Sequence, residues 1–311
     1  MNVAAAPLPE LDARVTPGPA GHPVRDLLLS LRDGPTVNYL PNPGNGGDAL
    51  INVGFFDVAH SIGLRYRVID RSARLTAQDV LIIAGGGGLV PEHEGTSAAV
   101  AQFNKTVGTL IVLPQTAREN DDLLRSLGGN VHLFLRERMS YDYCLRTCDG
   151  PRVGFDHDMA FYADIGALKQ RRGLSGFELT PRNGVSLALL TALKIRSRLT
   201  KRLVAFRVDK EARDRSRGSM ATDVSKLCSF GTRTESQCYF AASQFVRTID
   251  GFHEIHTDRL HVAIAAARLG KRTMLYDNSY FKCRAVFEAS LTGFDVEMRS
   301  FPEAEAITEN S

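Results

Sequence analysis

The strongest constraint on the fold is a regular alternation of short β-rich runs with helical segments, which begins at Pro35. In the first half, the runs with strand character are Thr36–Leu40, Arg65–Ile69, Val80–Ala84, Thr109–Leu113, His132–Leu135 and Val153–Phe155. Segments with helical periodicity separate these runs, and the first of them is the apolar stretch Ala49–Ile62. Strands that alternate with helices in this way are typical of βαβ units. We therefore expect an α/β fold with a doubly wound, mainly parallel sheet.

The alternation is interrupted by a basic stretch, Lys169–Arg202, which ends in a predicted helix over Val185–Arg202. A second series of elements follows. Its predicted strands and helices are Leu203–Val208, Glu235–Ile249, Phe252–Ile255, Arg259–Leu269, Arg272–Tyr276 and Cys283–Leu291. Because a chain of 311 residues is longer than one core usually serves, we expect two Rossmann-like domains, 25–180 and 181–311, after a flexible leader, 1–24. A ligand cleft is expected between the carboxyl ends of their sheets.

Composition excludes several classes of protein. Hydrophobic residues make up 43% and charged residues 23%, which is ordinary for a soluble globular protein, and the net charge of +3 does not favour nucleic-acid binding. Five cysteines without a C-x-x-C pair favour a reducing cytoplasm and predict no metal site. The sequence has no apolar run of about 18 residues that could span a bilayer. It also lacks a G-x-G-x-x-G fingerprint, so we expect no nicotinamide cofactor.

Two glycine-rich segments follow predicted strands. Asn45, Gly46 and Gly47 open a helix, where free N–H groups could hold an anion or sugar hydroxyls. Asp48 either caps this helix or acts on a ligand. The run Gly85–Gly88, with Gly86 and Gly87 at its centre, is interpreted as a floor under a substrate, and a tight crossover against a neighbouring loop is the alternative.

Polar residues stand at several predicted strand ends, which face the cleft in such sheets. Arg136, Arg207 and Lys282 could bind an anion there, although an exposed arginine is the ordinary interpretation. For Asp158, a capping or loop role is at least as well supported as a role at the site. Each of these residues is therefore a candidate ligand-binding residue.

The segment Thr257–His261 is the most informative one, because it lies between a predicted strand and a helix of small residues. With Thr257 as N-cap, Arg259 and His261 fall in the first turn, where the free N–H groups and the helix dipole already favour an anion. Arg259 adds a bidentate donor for carboxylate or phosphate. His261 can donate or accept a proton near neutral pH.

Taken together, these motifs resemble the polysaccharide pyruvyl transferase family. The residues that carry the resemblance, from about Asn38 to Leu291, are Gly44–Asp48, Gly85–Gly88, Arg136, Glu137, Ser140, Asp158, Ala160, Phe161, His256–His261, Asp277, Asn278, Tyr280 and Lys282. The resemblance implies two Rossmann-like domains in a GT-B-like arrangement and transfer of pyruvate from phosphoenolpyruvate to a sugar as a ketal. It implies no cofactor beyond this donor, and it assigns Arg259, Leu260 and His261 to the donor site, with Arg207 as a second donor-binding arginine.

The chemistry of the reaction then suggests roles for the candidates. His261 is the hypothetical general acid, and Asp48 would orient or deprotonate an acceptor hydroxyl. The expected substrate-binding residues are Arg207, Arg259, Leu260, Asn45, Gly46, Gly47, Gly86, Gly87, Arg136, Asp158 and Lys282. Two other functions stay open: a nucleotide-sugar glycosyltransferase of the same shape, and a non-catalytic glycan-binding or assembly protein.

The basic stretch suggests a further partner. On a helix, Lys194, Arg198, Lys201 and Arg202 would share one side, with Leu189, Leu190, Leu193 and Leu199 partly opposite. Such a helix could rest on the anionic inner face of a membrane, where lipid-linked sugars are assembled. A solvated interdomain helix is the more ordinary interpretation of the same pattern.

Overall fold

The computed structural model describes residue 14 and residues 22–207, 222–277 and 280–300. Within these residues, the larger sheet has seven strands, all parallel, which are β1 (Val37–Leu40), β2 (Tyr66–Val68), β3 (Val80–Ile83), β4 (Gly86–Leu89), β5 (Thr109–Ala117), β6 (Val131–Leu135) and β7 (Arg152–Phe155). Their order is β2-β1-β3-β5-β6-β7, and β4 pairs with β5. The strand order reverses at β1, because β2 lies on one side of it and β3 on the other. Ligands of open α/β sheets bind at such a reversal.

The second sheet is also parallel in the described part of the chain. Its strands are β8 (Arg202–Ala205), β9 (Glu254–Thr257), β10 (Arg272–Tyr276) and β11 (Val296–Arg299). They lie in the order β11-β10-β9-β8, so that each strand pairs with the next along the chain. The predicted α/β class with parallel sheets of Rossmann-like character is confirmed.

Helices connect these strands. Those of the described residues are α1 (Pro23–Ser30), α2 (Gly46–Ile62), α3 (Glu94–Phe103), α4 (Asp121–Arg125), α5 (Arg138–Thr147), α6 (Ile165–Gln170), α7 (Pro181–Leu199), α8 (Val224–Leu227), α9 (Glu235–Asp250), α10 (Leu260–Arg268) and α11 (Lys282–Val286). A 3-10 turn occupies Met159–Tyr162, and α11 continues into a π-helical turn, Phe287–Leu291. Within the described ranges, none of these helices is long and apolar enough to cross a membrane.

Helix α2 joins the two halves of the molecule. Thirteen of its seventeen residues are buried, because one side covers the larger sheet and another packs against α9. The resulting hydrophobic cluster runs from α1 through α2, α6 and α9 to the helices beside the second sheet. Residues of both predicted domains therefore share one core. The division at residue 180 stays a prediction.

Several local expectations were wrong. Gly86–Leu89 is a short strand against β5 rather than a loop, and β11 had no counterpart among the predicted elements. Helix α7 ends at Leu199, so Lys201 lies beyond it and Arg202 belongs to β8. Thr257 closes β9 and does not cap α10.

The predicted leader, 1–24, lies largely outside the described residues, but its last part is ordered. Helix α1 begins at Pro23, and Val24 is buried. The backbone N–H of Val24 donates to Asp156 Oδ2 at 2.8 Å. Because this hydrogen bond links α1 to the end of β7, the leader's last residues are part of the fold rather than flexible.

The packing of α2 predicts a severe effect of Gly54→Ala. A Cβ atom at Gly54 would lie 1.8 Å from the carbonyl oxygen of Met159, and both are backbone positions that cannot yield. We expect the free energy of unfolding to fall by about 3 kcal/mol, measured by denaturant titration. Gly95→Ala is the control, because a Cβ there meets nothing within 4 Å. Gly95→Ala should leave the free energy of unfolding unchanged or raise it by up to about 1 kcal/mol. Equal effects of Gly54→Ala and Gly95→Ala would contradict this account of the packing.

Candidate active site

A cleft of about 1190 Å³ lies at the carboxyl end of β1 and β3, where the strand order of the larger sheet reverses. Elements that follow strands of both sheets line it. The candidate residues on its wall are Asn45, Asp48, Gly87, Arg136, Arg207, Arg259, Leu260, His261 and Lys282. The remaining candidates, Gly46, Gly47, Gly86 and Asp158, lie behind this wall and do not line the cleft. The fold thus brings most of the candidates into one place.

Arg136 is a buried cation at the end of β6, with only 1% of its surface exposed. Its Nε donates to Thr116 Oγ1 at 2.9 Å, and its Nη1 donates to Asp158 Oδ2 at 2.5 Å. Its Nη2 lies toward Gly87, where a Cβ would be only 3.1 Å away. Two of its nitrogens are therefore held by the protein, while the third faces the cleft wall.

Asp158 connects this arginine to His261. It is fully buried, its Oδ1 accepts from the N–H of Ala160 at 2.8 Å, and its Oδ2 lies 3.5 Å from His261 Nε2. The last distance is that of an ion pair rather than of a short hydrogen bond. Burial by itself would raise the pKa of Asp158, but Arg136 and the His261 ring outweigh it and hold this pKa well below its ordinary value. Asp158 is thus a buried, ionised group between two residues of the cleft wall, and it does not itself line the cleft.

His261 lies on α10 and packs against the start of α2. A Cβ atom at Gly47 would stand 2.7 Å from His261 Nδ1, so only glycine allows this approach. The ring is fixed between Gly47 on one edge and Asp158 on the other, while part of it stays open to the cleft. Gly47 was predicted to contact a ligand; the structure places it under the histidine.

Arg259 is itself the N-cap residue of α10, and no side chain caps this helix. Thr257 Oγ1 instead accepts from the N–H of Arg259 at 2.9 Å and donates to the carbonyl oxygen of Ala205. The Nη2 atom of Arg259 forms a buried ion pair with Asp223 Oδ2. Asp223, which the sequence interpretation missed, also caps α8 through the N–H of Lys226. Its position before a short helix was the only available signal.

Arg207 follows β8 and is anchored through its backbone. Its N–H donates to Asp258 Oδ1 at 2.8 Å, and its side chain reaches the cleft. Burial raises the pKa of Asp258 to about 6, and the nearby Arg207 and Arg259 only partly oppose this shift. Val208, which was predicted to extend the strand, lies outside the described residues.

Asp48 has the capping role that the sequence left open. Its Oδ2 accepts from the N–H of Asn45 at 2.9 Å, and Asn45 Oδ1 accepts from the N–H of Gly47, which together form a capping box. Both side chains nevertheless line the cleft. One carboxylate oxygen of Asp48 is therefore committed to the start of the helix, at the wall of the cleft.

The glycine run and Lys282 form a further wall of the cleft. Gly86 has φ of +131°, which favours glycine, whereas Gly87 and Gly88 line the cavity itself. Lys282 begins α11, and its ammonium group lies 5.0 Å from the centre of the Tyr280 ring. The guanidinium of Arg118 lies 4.8 Å from the same ring. Two cations thus lie close to the Tyr280 ring, and the family resemblance gave this tyrosine no role.

Comparison with known families agrees with this geometry. The family model for polysaccharide pyruvyl transferase matches residues 45–280. This range contains the site residues described above from Asn45 to Tyr280, and Lys282 lies just beyond it. The chain belongs to the polysaccharide pyruvyl transferase family. The resemblance stated from the sequence is therefore confirmed, and the family makes the chain a pyruvyltransferase of polysaccharide biosynthesis.

A comparison with solved structures supports the fold. A functionally uncharacterised protein of Klebsiella pneumoniae subsp. pneumoniae NTUH-K2044 is 24% identical, with a TM-score of 0.70. The match covers 90% of this chain and 98% of the Klebsiella chain. At this identity the likeness shows the fold alone. No curated protein matches the chain.

The raised pKa of Asp258 predicts a pH effect on stability. Because the folded-state pKa of about 6 lies above the ordinary 3.8, this group's contribution is fully present below about pH 4 and is lost as the pH rises to about 6. Relative to Asp258→Asn, the wild type should lose about 3 kcal/mol of unfolding free energy across that interval. Denaturant titrations at a series of pH values measure the difference. Asp122→Asn, at an exposed position, is the control, and identical pH profiles for wild type and Asp258→Asn would contradict the assignment.

Proposed function

We propose that this chain transfers pyruvate from phosphoenolpyruvate to two hydroxyls of a sugar in a polysaccharide precursor, forming a ketal and releasing phosphate. One observation carries the proposal: Arg136, Arg207, Arg259 and Lys282 line the same cleft as His261 in a member of this family. The donor and the form of the acceptor are the parts that the family alone leaves open. The cleft's charge and chemistry support the choice of donor.

Phosphoenolpyruvate carries a carboxylate and a phosphate, and both groups need cationic partners. Arginine binds such groups through paired N–H donors, and the first N–H groups of α10 add a favourable dipole. Arg259 stands at this helix terminus, with Arg207 at the neighbouring strand end. Arg136 and Lys282 approach from the Gly87 side. We assign the donor to the space between these two pairs of cations.

The reaction requires two bond-forming steps at C2 of the donor. A proton adds to the C3 methylene, and one sugar hydroxyl adds to C2 and loses its proton. The second hydroxyl then attacks C2 as the C2–O bond to phosphate breaks, and its proton leaves with the phosphate or a base. The product carries a methyl and a carboxylate on the ketal carbon, so atoms and charge balance without any cofactor.

His261 is the proposed acid that protonates C3. Its Nε2 is buried beside Asp158 and its Nδ1 lies beside Gly47, so we assign proton delivery to Nδ1. Asp158, held ionised beside it, is proposed to orient the ring, as a buried carboxylate does for a catalytic histidine. Asp158 is thus proposed as a positioning residue.

Asp48 is proposed to receive or orient an acceptor hydroxyl, because it lines the cleft at the start of α2. The cleft continues past it to a polar wall that would suit a sugar rich in hydroxyls. This wall includes Asp70, Arg71, Ser72, Glu92 and Glu94. We further propose that the two parallel sheets form a GT-B-like pair with the acceptor on the larger sheet's side. A nucleotide-sugar glycosyltransferase is not favoured, since the family match points to pyruvyl transfer.

The donor assignment predicts a specific effect of Arg259→Gln. Phosphoenolpyruvate at about one hundred times its Kd should stabilise the wild type by about 2.7 kcal/mol, seen as a rise in Tm. Arg259→Gln should lose most of this rise. Arg138→Gln is the matched control, because Arg138 is exposed and pairs with Asp142 away from the cleft. A rise in Tm that survives Arg259→Gln, or one given only by nucleotide sugars, would reject the donor site.

The acid assignment predicts that His261→Gln lowers kcat by about 10²-fold to 10⁴-fold while donor binding persists. Phosphate release from phosphoenolpyruvate is measured with a panel of nucleotide sugars and lipid-linked sugars, using an acceptor that supports turnover by the wild type. The ligand-dependent rise in Tm reports donor binding in the same variant. His60→Gln is the control, since His60 is half-exposed on α2 and contacts Tyr66. An unchanged rate in His261→Gln would reject the assignment.

A further inference from the structure

Helix α7 exposes an apolar face that the proposed reaction does not use. Val185, Leu189, Ile195 and Leu199 are between 48% and 84% exposed. Ala188 and Ala192 are exposed between them. With 3.6 residues per turn, these positions form one continuous stripe along the whole helix. We call this stripe the α7 face.

The inner side of the same helix is packed in the ordinary way. Leu190 and Leu193 are buried, and α7 rests on α8 and α9. The α7 face is therefore not the side that the fold uses for its core. The sequence interpretation placed Leu190 and Leu193 on the same side of the helix as Leu189 and Leu199, and this was wrong. In the structure Leu190 and Leu193 are buried, whereas Leu189 and Leu199 are exposed.

Cations flank the α7 face unequally. At 100° per residue, Arg182 and Arg196 adjoin one edge of it, whereas on the other side Arg198 lies about 60° and Lys194 about 100° beyond Ile195. The range 181–199 contains no acidic residue. Within the described ranges, none of the four forms an ion pair with a carboxylate. The helix thus presents an apolar stripe with cations at one edge and further cations farther round on the other side.

We propose that the α7 face binds an anionic lipid surface, with its apolar side chains in the acyl boundary and its cations at the headgroups. An apolar stripe bordered by Lys and Arg is the pattern of helices that lie in such an interface. Charge complementarity selects this partner over a second copy of the chain, because two such faces would bring cations together with no acidic residue of α7 to pair with them. This inference is independent of the donor assignment.

The position of α7 relates this surface to the cleft. Helix α7 packs on α8, and α8 begins after Asp223, which pairs with the cleft residue Arg259. Ser225 of α8 lines the cleft itself. A lipid surface against α7 would therefore lie one helix away from the cleft wall, within reach of an acceptor that is attached to a lipid.

Cosedimentation of the full chain with vesicles tests the proposal. The vesicles are pure phosphatidylcholine, or phosphatidylcholine mixed with phosphatidylglycerol, at low salt and at raised salt. The wild type should bind only the anionic vesicles, and salt should weaken the binding. Arg198→Gln combined with Leu199→Gln should weaken it by at least about tenfold.

The matched control combines Leu145→Gln with Arg146→Gln, because this exposed Leu-Arg pair on α5 loses the same groups from another surface. It should bind as the wild type does. Unchanged thermal unfolding of both double variants verifies that they are folded. Failure of the wild type to bind, equal loss in the control, or equal binding to neutral vesicles would overturn the proposal. Concentration-dependent dimerisation that Arg198→Gln with Leu199→Gln abolishes would also overturn it, and would make the α7 face an interface between copies.

Discussion

The site depends on one buried carboxylate. Asp158 lies where the end of the larger sheet meets α10, and it contacts Arg136 from one half of the chain and His261 from the other. A carboxylate without exposure is costly to bury unless cations and N–H groups compensate it, and here Arg136, the N–H of Ala160 and the His261 ring do so. Arg136 is the largest of these compensating influences, so its removal would leave the carboxylate with only the N–H of Ala160 and the His261 ring. The geometry of two proposed site residues is therefore tied to the stability of the junction.

Close backbone approach at α2 is the second requirement of this junction. Gly47 admits the His261 ring, and Gly54 admits the backbone of Met159, next to Asp158 in the chain. Larger residues at either position would push α2 away from the elements that carry Asp158 and His261. Helix α2 is almost completely buried, because the larger sheet covers one side of it and α9 packs against another.

Local pattern predicted the fold well because periodicity and strand composition are properties of neighbouring residues. In the described part of the chain it located every strand except β4 and β11. It missed β4 because glycine has low strand propensity, although pairing with β5 overrides that preference. The site was predictable where a residue follows a strand, as for Arg136, Arg207 and Lys282. The role of Asp158 and the contact of Gly47 with His261 were not, since they depend on residues more than a hundred positions apart. The contact of Asp223 with Arg259 was also not predictable from local pattern, because the two residues are 36 positions apart in the sequence.

The basic residues of this chain divide into two groups with different physical consequences. In the cleft, Arg136 and Arg259 are buried and held by Asp158 and Asp223, so their side-chain entropy is already lost before a ligand arrives. Such cations can recognise a small anion with defined geometry. On α7, Lys194 and Arg198 are exposed, and a single exposed cation contributes little to any one contact. Only a surface that meets many of them at once can use them. For this reason we propose a small anionic donor for the cleft and an extended anionic partner for α7.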